Sequence, residues 1–295
     1  MHPLSVHFYH TNYIGEQMKS ISKSLSGLAI IVALTSTSFA AESKYTTKDL
    51  NDEAILALSW IQNSAEFKAL SYQAFNIAKL RWDMDKAGGK RAIVVDVDET
   101  IIDNSPFNGG LIGKHYGYND NVWQEWAEDR SATALPGAVE FLNYVVETGG
   151  DVFYVTNRKS MPEKKMDLKA ATMENLTALG FPQIDDKHMM LRTDTSKKQP
   201  RRDSITAMGY RTVLLMGDNL ADFDVAFDGD TMSARATAVE NNKSSFGDKF
   251  IMLPNPVYGN WEGAVYGGGK WYKKTSEERS KLRIETLRKF EFSKK

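Results

Sequence analysis

Cysteine is absent from the 295 residues. That one absence removes disulfides, thiol nucleophiles, cysteine-ligated zinc and a lipid-modified N-terminal cysteine together. Histidine is scarce as well. Three of the five (His2, His7, His10) fall in the first ten residues, which leaves only His115 and His188, so chemistry built on several imidazoles is not expected. An excess of charge is missing too: 37 basic against 38 acidic side chains give a net −1. A protein whose main task is gripping a nucleic acid polymer or an acidic lipid surface would be far more basic. No apolar run reaches the roughly 20 residues that span a bilayer. What is plentiful is material for a core, with 42% hydrophobic residues, and disorder is excluded on that ground.

The first feature present is a leader. From Met18 the chain reads MKSISKSLSGLAIIVALTSTSFA. Lys19 and Lys23 form a positive start, Leu25 to Leu34 a short apolar run, and Ser38-Phe39-Ala40 a small-residue cleavage site before Ala41. An ordinary buried helix is the alternative, weakened by the Ser/Thr block directly after the apolar run. Residues 1 to 17 have no signal character, so the start codon is either Met1 or Met18. Residues 1–40 are expected to be removed and 41–295 to fold, in the periplasm or after secretion. One domain with an inserted or appended lobe fits that size.

Along 41–295, short apolar β-branched runs alternate with helical periodicity. Thr47 to Ala87 lacks Pro and Gly and predicts one or two helices. Strands are expected at Arg91–Asp96, Asp151–Val155, His188–Leu191, Thr212–Met216 and Phe250–Leu253. Helices are expected at Pro136–Thr148, Glu163–Leu179 and Pro200–Met208, and a last one opens on the capping-box pair Thr275 and Glu278. Strands apolar on both sides predict an α/β fold, a parallel sheet with helices on both faces. Residues 105–135 break the alternation with Gly- and aromatic-rich sequence and are expected to form a smaller, mostly helical cap. Residues 45–87 and 255–295 read as flanking helical and loop elements.

In such a sheet ligands bind beyond the C-terminal strand ends. Asp96 closes the first strand, with Asp98 two residues on. Thr156-Asn157-Arg158 follows the second, and Gly217-Asp218-Asn219, with Asp222, the last. Taken singly, each Asp or Thr after a strand reads as a turn or helix cap. Gathered at one rim, acids without a cation would repel one another. Oxygen ligands with no His or Cys call for a hard cation, most plausibly Mg²⁺.

These segments carry a resemblance. Asp96-Val-Asp-Glu-Thr-Ile-Ile-Asp-Asn-Ser-Pro106, Val152-Phe-Tyr-Val-Thr-Asn-Arg158, Gly217-Asp-Asn-Leu-Ala-Asp-Phe223 and Phe250-Ile-Met-Leu-Pro-Asn255 resemble the haloacid dehalogenase superfamily. Within it they are similar to the class C acid phosphatases and the bacterial 5'-nucleotidases of the outer-membrane lipoprotein type. The likeness runs from about residue 45 to 290. It implies a Rossmann-type core and a secreted, Mg²⁺-dependent phosphatase acting on nucleoside 5'-monophosphates. One departure stands out: those lipoproteins carry an acylated cysteine, so their membrane anchor does not transfer, and outer-membrane association would rest on resemblance alone.

The resemblance also implies roles. Asp96 is the expected nucleophile, and Asp98 the acid that protonates the leaving group and then takes a proton from water. Mg²⁺ would be held by Asp96, the Asp98 backbone carbonyl and Asp218, with Asp222 as a further acid or simply a cap. Thr156 and Asn157 would bind phosphoryl oxygens. Lys198 is favoured among the basic residues of 196–202 by its spacing to Asp218, against the alternative of a solvated helix start. Tyr118, Trp123 and Tyr258 are the candidate base-stacking rings, although Trp123 and Trp126, three apart on a helix, could simply be core. A homodimer is the assembly entertained. Two other readings stay open: a nucleotide-sugar transferase using Asp-x-Asp for metal, and a catalytically silent phosphoester-binding relative.

Overall fold

The structure, a computed structural model, describes residues 45–293. The expected leader and its cleavage site lie outside the described residues. The chain opens with helices α1 (Thr47–Asp52), α2 (Ile55–Asn63) and α3 (Ala65–Met84). Three helices form where one or two were expected, without help from Pro or Gly. Ser64 turns to an extended conformation (ψ 140°), and its hydroxyl accepts the Phe67 N–H at 3.1 Å, which starts α3 afresh.

Strand β1 (Lys90–Val95) leads through the short β2 (Ile102–Asp103) into α4 (Ser105–Leu111) and α5 (Asp120–Asp129). Then come β3 (Thr133–Ala134), α6 (Ala138–Glu147), β4 (Asp151–Met161), β5 (Met166–Asp167), α7 (Lys169–Ala178), β6 (Met189–Arg192) and α8 (Gln199–Ala207). The chain finishes with β7 (Tyr210–Gly217), α9 (Met232–Asn241), β8 (Phe250–Met252), α10 (Asn260–Val265) and α11 (Ser276–Glu285). The main sheet runs β6-β4-β1-β7-β8, all parallel. The chain builds outward from β1 on one side through β4 and β6, then returns to its other side as β7. That reversal opens a crevice between the C-terminal ends of β1 and β7, the place where such sheets bind ligands.

Because strand side chains alternate, β1 serves two cores. Ile93 and Val95 pack with Phe75, Ala78 and Trp82 of α3, Leu142 and Val145 of α6, and Leu176 of α7. Ala92 and Val94 face the other way, with Ile205 of α8 and Phe223, Phe227 and Phe250. Helices cover both faces, as the apolar strands require.

Two further expected elements differ. The helix expected from Glu163 begins only at Lys169, because residues 162–164 form a 3₁₀ turn and Lys165 takes a left-handed conformation (φ 56°). The second strand runs on past Val155 to Met161. Its last residues leave the parallel sheet and pair antiparallel with β5, Ser160 opposite Asp167. Residues 105–135 form α4, α5 and β3, which pairs with β2 just ahead of them. Phe107, Trp123 and Ala127 make a small apolar cluster with Met166 and Leu168, so this region is seated partly on β5 and the residue after it, which fold back along the far end of β4.

Candidate active site

Asp96 is the first residue after β1, and its N–H is held by the Met216 carbonyl of β7 at 2.9 Å. Asp218 is the first residue after β7, so neighbouring strands deliver two acids side by side. Asp222 folds back toward them on a 3₁₀ turn. Its Oδ2 accepts the Asn219 N–H at 2.9 Å, so it caps that turn and faces the site at once. Gly217 makes this possible: a Cβ there would lie 2.3 Å from the Asp222 carboxylate. Oxygens of Asp96, Asp218 and Asp222 lie within 4.8 Å of one another.

Lys198, just ahead of α8, is 6% exposed. Its ammonium pairs with Asp96 and, at 2.6 Å, with Asp222. Burial disfavours the ammonium, but Asp222 and Asp96 outweigh it and the Lys198 pKa is raised. Burial pushes the Asp96 carboxyl up to about 7, opposed by Lys198 and reinforced by Asp222 and Asp98. Asp218 is also driven well above the ordinary carboxylate range, first by burial and then by Asp222 and Asp96. Three carboxylates against one ammonium leave a formal charge of −2. An all-oxygen donor set with that surplus fits a divalent, hard cation.

The side chain of Asp98 lies outside this cluster. Both its oxygens face the buried guanidinium of Arg158, with Nε at 3.0 and 3.2 Å and a terminal nitrogen at 2.8 Å. Asn104 adds a bond to Oδ1 at 2.9 Å and is itself held by the Trp126 indole at 2.8 Å. Thr156 is fully buried, and its Oγ1 accepts the Arg158 N–H at 3.0 Å. Arg201 reaches the Thr156 carbonyl and the Asn157 Oδ1 (2.8 Å), orienting the end of the parallel part of β4.

A cavity of about 530 Å³ is lined by Asp96, Asp98, Asn157, Lys198, Asp218 and Asp222, whereas the fully buried Thr156 and Asn104 are not on its lining. Tyr118, Trp123 and Tyr258 line the same cavity, so all three candidate rings come to the site. They differ in freedom. Tyr118 is 61% exposed, whereas Trp123 is 9% exposed and set edge-on to Phe107, centroids 5.0 Å apart. Trp123 is therefore core and wall together. The Tyr258 hydroxyl is bonded to Glu99. Sequence reading gave no role to Arg158, Asn104, Glu99 or Asn255. All four stand inside the quoted motifs, and that was their only signal.

A family model described as HAD superfamily, subfamily IIIB (Acid phosphatase), matches residues 18–261. The fold is similar to class C acid phosphatase from Bacillus anthracis, in a structure with tungstate bound (TM-score 0.75) and in a second one (0.74). Both are 38% identical over 82% of this chain and 99% of that one. Acid phosphatase 1 of Solanum lycopersicum is 28% identical over 181 residues, 58% of this chain and 59% of that protein. A stem 31 kDa glycoprotein of Glycine max is 24% identical over 67% of this chain and 69% of its own. The chain thus spans only 59% of the length of the tomato relative it matches. None of these supports the nucleotide-sugar transferase alternative.

Proposed function

Since this chain belongs to subfamily IIIB of the haloacid dehalogenase superfamily, the acid phosphatases, we propose that it hydrolyses phosphomonoesters, nucleoside 5'-monophosphates above all, through an aspartyl-phosphate on Asp96. The observation that carries the reading is Lys198, buried between Asp96 and Asp222 under a cavity with a polar wall and an aromatic wall. The Bacillus anthracis relative has tungstate bound, a tetrahedral oxyanion like phosphate.

Each residue then has a task. A carboxylate oxygen of Asp96 attacks phosphorus as the ester P–O bond breaks, and Asp98 gives its proton to the departing alkoxide. Asp98 next takes a proton from water. The resulting hydroxide attacks phosphorus, the bond to Asp96 breaks, and inorganic phosphate leaves. Lys198, Thr156 and Asn157 offer donors to the phosphoryl oxygens, while Arg158 and Asn104 orient Asp98. Asp96, Asp218 and Asp222, with the Asp98 carbonyl, would hold Mg²⁺, which when bound neutralises phosphoryl charge. Tyr118, Trp123 and Tyr258 would receive the base, since stacking suits any nucleobase. The described residues include no helix long and apolar enough to cross a membrane, and export by the leader would place the mature chain, starting at Ala41, in the periplasm.

Phosphate release from a panel of nucleotides and small alkyl phosphates, with and without EDTA, tests this. Nucleotides should be preferred and chelation should abolish turnover. Equal rates across the panel would reject the nucleotide reading, and full activity after exhaustive chelation would reject the metal.

A further inference from the structure

Side-chain bonds set the loop that carries Tyr258 into the cavity. At its start Asn255 donates to the Oδ2 of Asp218 at 2.8 Å and accepts the Val257 N–H at 3.0 Å. Further on, the Trp261 indole donates to the Tyr258 carbonyl at 3.0 Å. None of these reaches the ring. The ring has its own anchor, because its hydroxyl donates to Oε2 of Glu99.

Glu99 is an odd residue to find there. It follows Asp98 in the loop after β1, is buried, and takes a left-handed conformation (φ 55°) that L side chains rarely adopt. Among the described residues it joins no ion pair. Its other oxygen accepts the Asn104 N–H at 3.0 Å, and the Tyr258 hydroxyl is its one side-chain partner. A buried carboxylate without a counter-cation, on strained backbone, is costly to keep. Such a group persists where the surroundings over-determine it, and here they lead to one ring of the cavity wall.

We propose that Glu99 is a positioning residue that sets substrate preference through Tyr258: the phenol hydroxyl is a latch to the protein, and the latched ring presents a fixed face to the organic part of the ester. This rests on the reading that Tyr258 faces that part of the substrate. A ring already held loses less freedom when a ligand stacks on it, an effect of about two- to tenfold in KM. The phosphoryl end is untouched, so the effect falls on KM of large, flat esters rather than on kcat.

The test compares adenosine 5'-monophosphate with a small alkyl phosphate, measuring KM and kcat separately. Tyr258→Phe keeps the ring and removes the latch. It should raise KM for the nucleotide about two- to tenfold relative to the alkyl ester. Glu99→Gln can still pair, its amide donating to the phenol while its carbonyl takes the Asn104 N–H, and should keep the wild-type KM ratio. Glu99→Ala should reproduce Tyr258→Phe, and the double variant should add nothing, as expected for two halves of one bond. An unchanged KM ratio in Tyr258→Phe, or additive effects in the double variant, would overturn the latch. Should Glu99→Ala fail to fold, Tyr258→Phe and Glu99→Gln still decide. Tyr258→Ala keeps the two ideas apart. If it shifts the ratio while Tyr258→Phe does not, the stacking reading stands and the latch falls; if neither shifts it, both fall.

Discussion

Replacing Asp96 by asparagine separates two demands on that position. The proposed mechanism requires a carboxylate nucleophile there, while the buried cluster is strained by holding one. Asp96→Asn should therefore abolish phosphate release yet leave the metal-free protein at least as heat-stable as wild type, since burial already pushes this carboxyl up to about 7. A melting temperature several degrees lower would show that the charge supports the fold. Arg158→Lys asks about orientation. A lysine keeps the charge but loses the fork that grips both oxygens of Asp98. A fall in kcat of about tenfold to a hundredfold is expected, the range for one lost charge-assisted bond; unchanged kcat would mean Asp98 needs no such grip. Asp96 and Asp218 were legible in the sequence because each directly follows an apolar run, so strand geometry alone places them. Arg158, Asn104, Glu99 and Asn255 were not, because their directions depend on bends of loops that no periodicity encodes.

At the scale of elements the strands could be read almost to the residue, and the exceptions have causes. The far half of β4 is polar (Asn-Arg-Lys-Ser) and looks like a loop; it is extended because β5 folds back on it and Leu168 donates its N–H to the Lys159 carbonyl at 2.8 Å. The opposite end of the sheet is tied by His188, buried between Asp185 (Nδ1, 2.8 Å) and Asp151 (Nε2, 3.0 Å). This staple joins the start of β4 to the turn entering β6. His188→Ala should cost about 1.5–3 kcal/mol, roughly 3–12 °C in melting temperature for a domain this size, with activity retained. Burial opposes the ionised forms of both acids, but hydrogen bonds from His188 and, for Asp151, Lys187 prevail, and their carboxyls are lowered. A depressed carboxyl stabilises above its unfolded pKa and ceases to as pH falls through its folded value. The penalty of His188→Ala should thus be full at pH 7 and shrink below about pH 4. A penalty that stays constant down to pH 3 would mean that the ring acts by packing alone.

For the whole molecule, the surplus negative charge at the crevice makes stability depend on what fills it. A divalent cation at a hundred times its dissociation constant should add about 2.7 kcal/mol, or roughly 5–11 °C in melting temperature. Asp218→Asn should remove most of that rise. No rise with Mg²⁺ but one with Mn²⁺ would change the identity of the ion; no rise with either would leave the carboxylates to Lys198 alone. The long β4 bears on the molecule in another way. It bears Thr156 and Asn157, the proposed phosphoryl donors, and then runs on to the base of the aromatic wall, where Lys159 pairs with Asp120 of α5 at 2.5 Å. On the proposed reading, specificity is therefore not a detachable module. A chimera that exchanged residues 105–135 with those of a relative would leave half of their apolar seat behind, at Met166 and Leu168. Only a graft that moved residues 159–168 with them would carry the wall across intact.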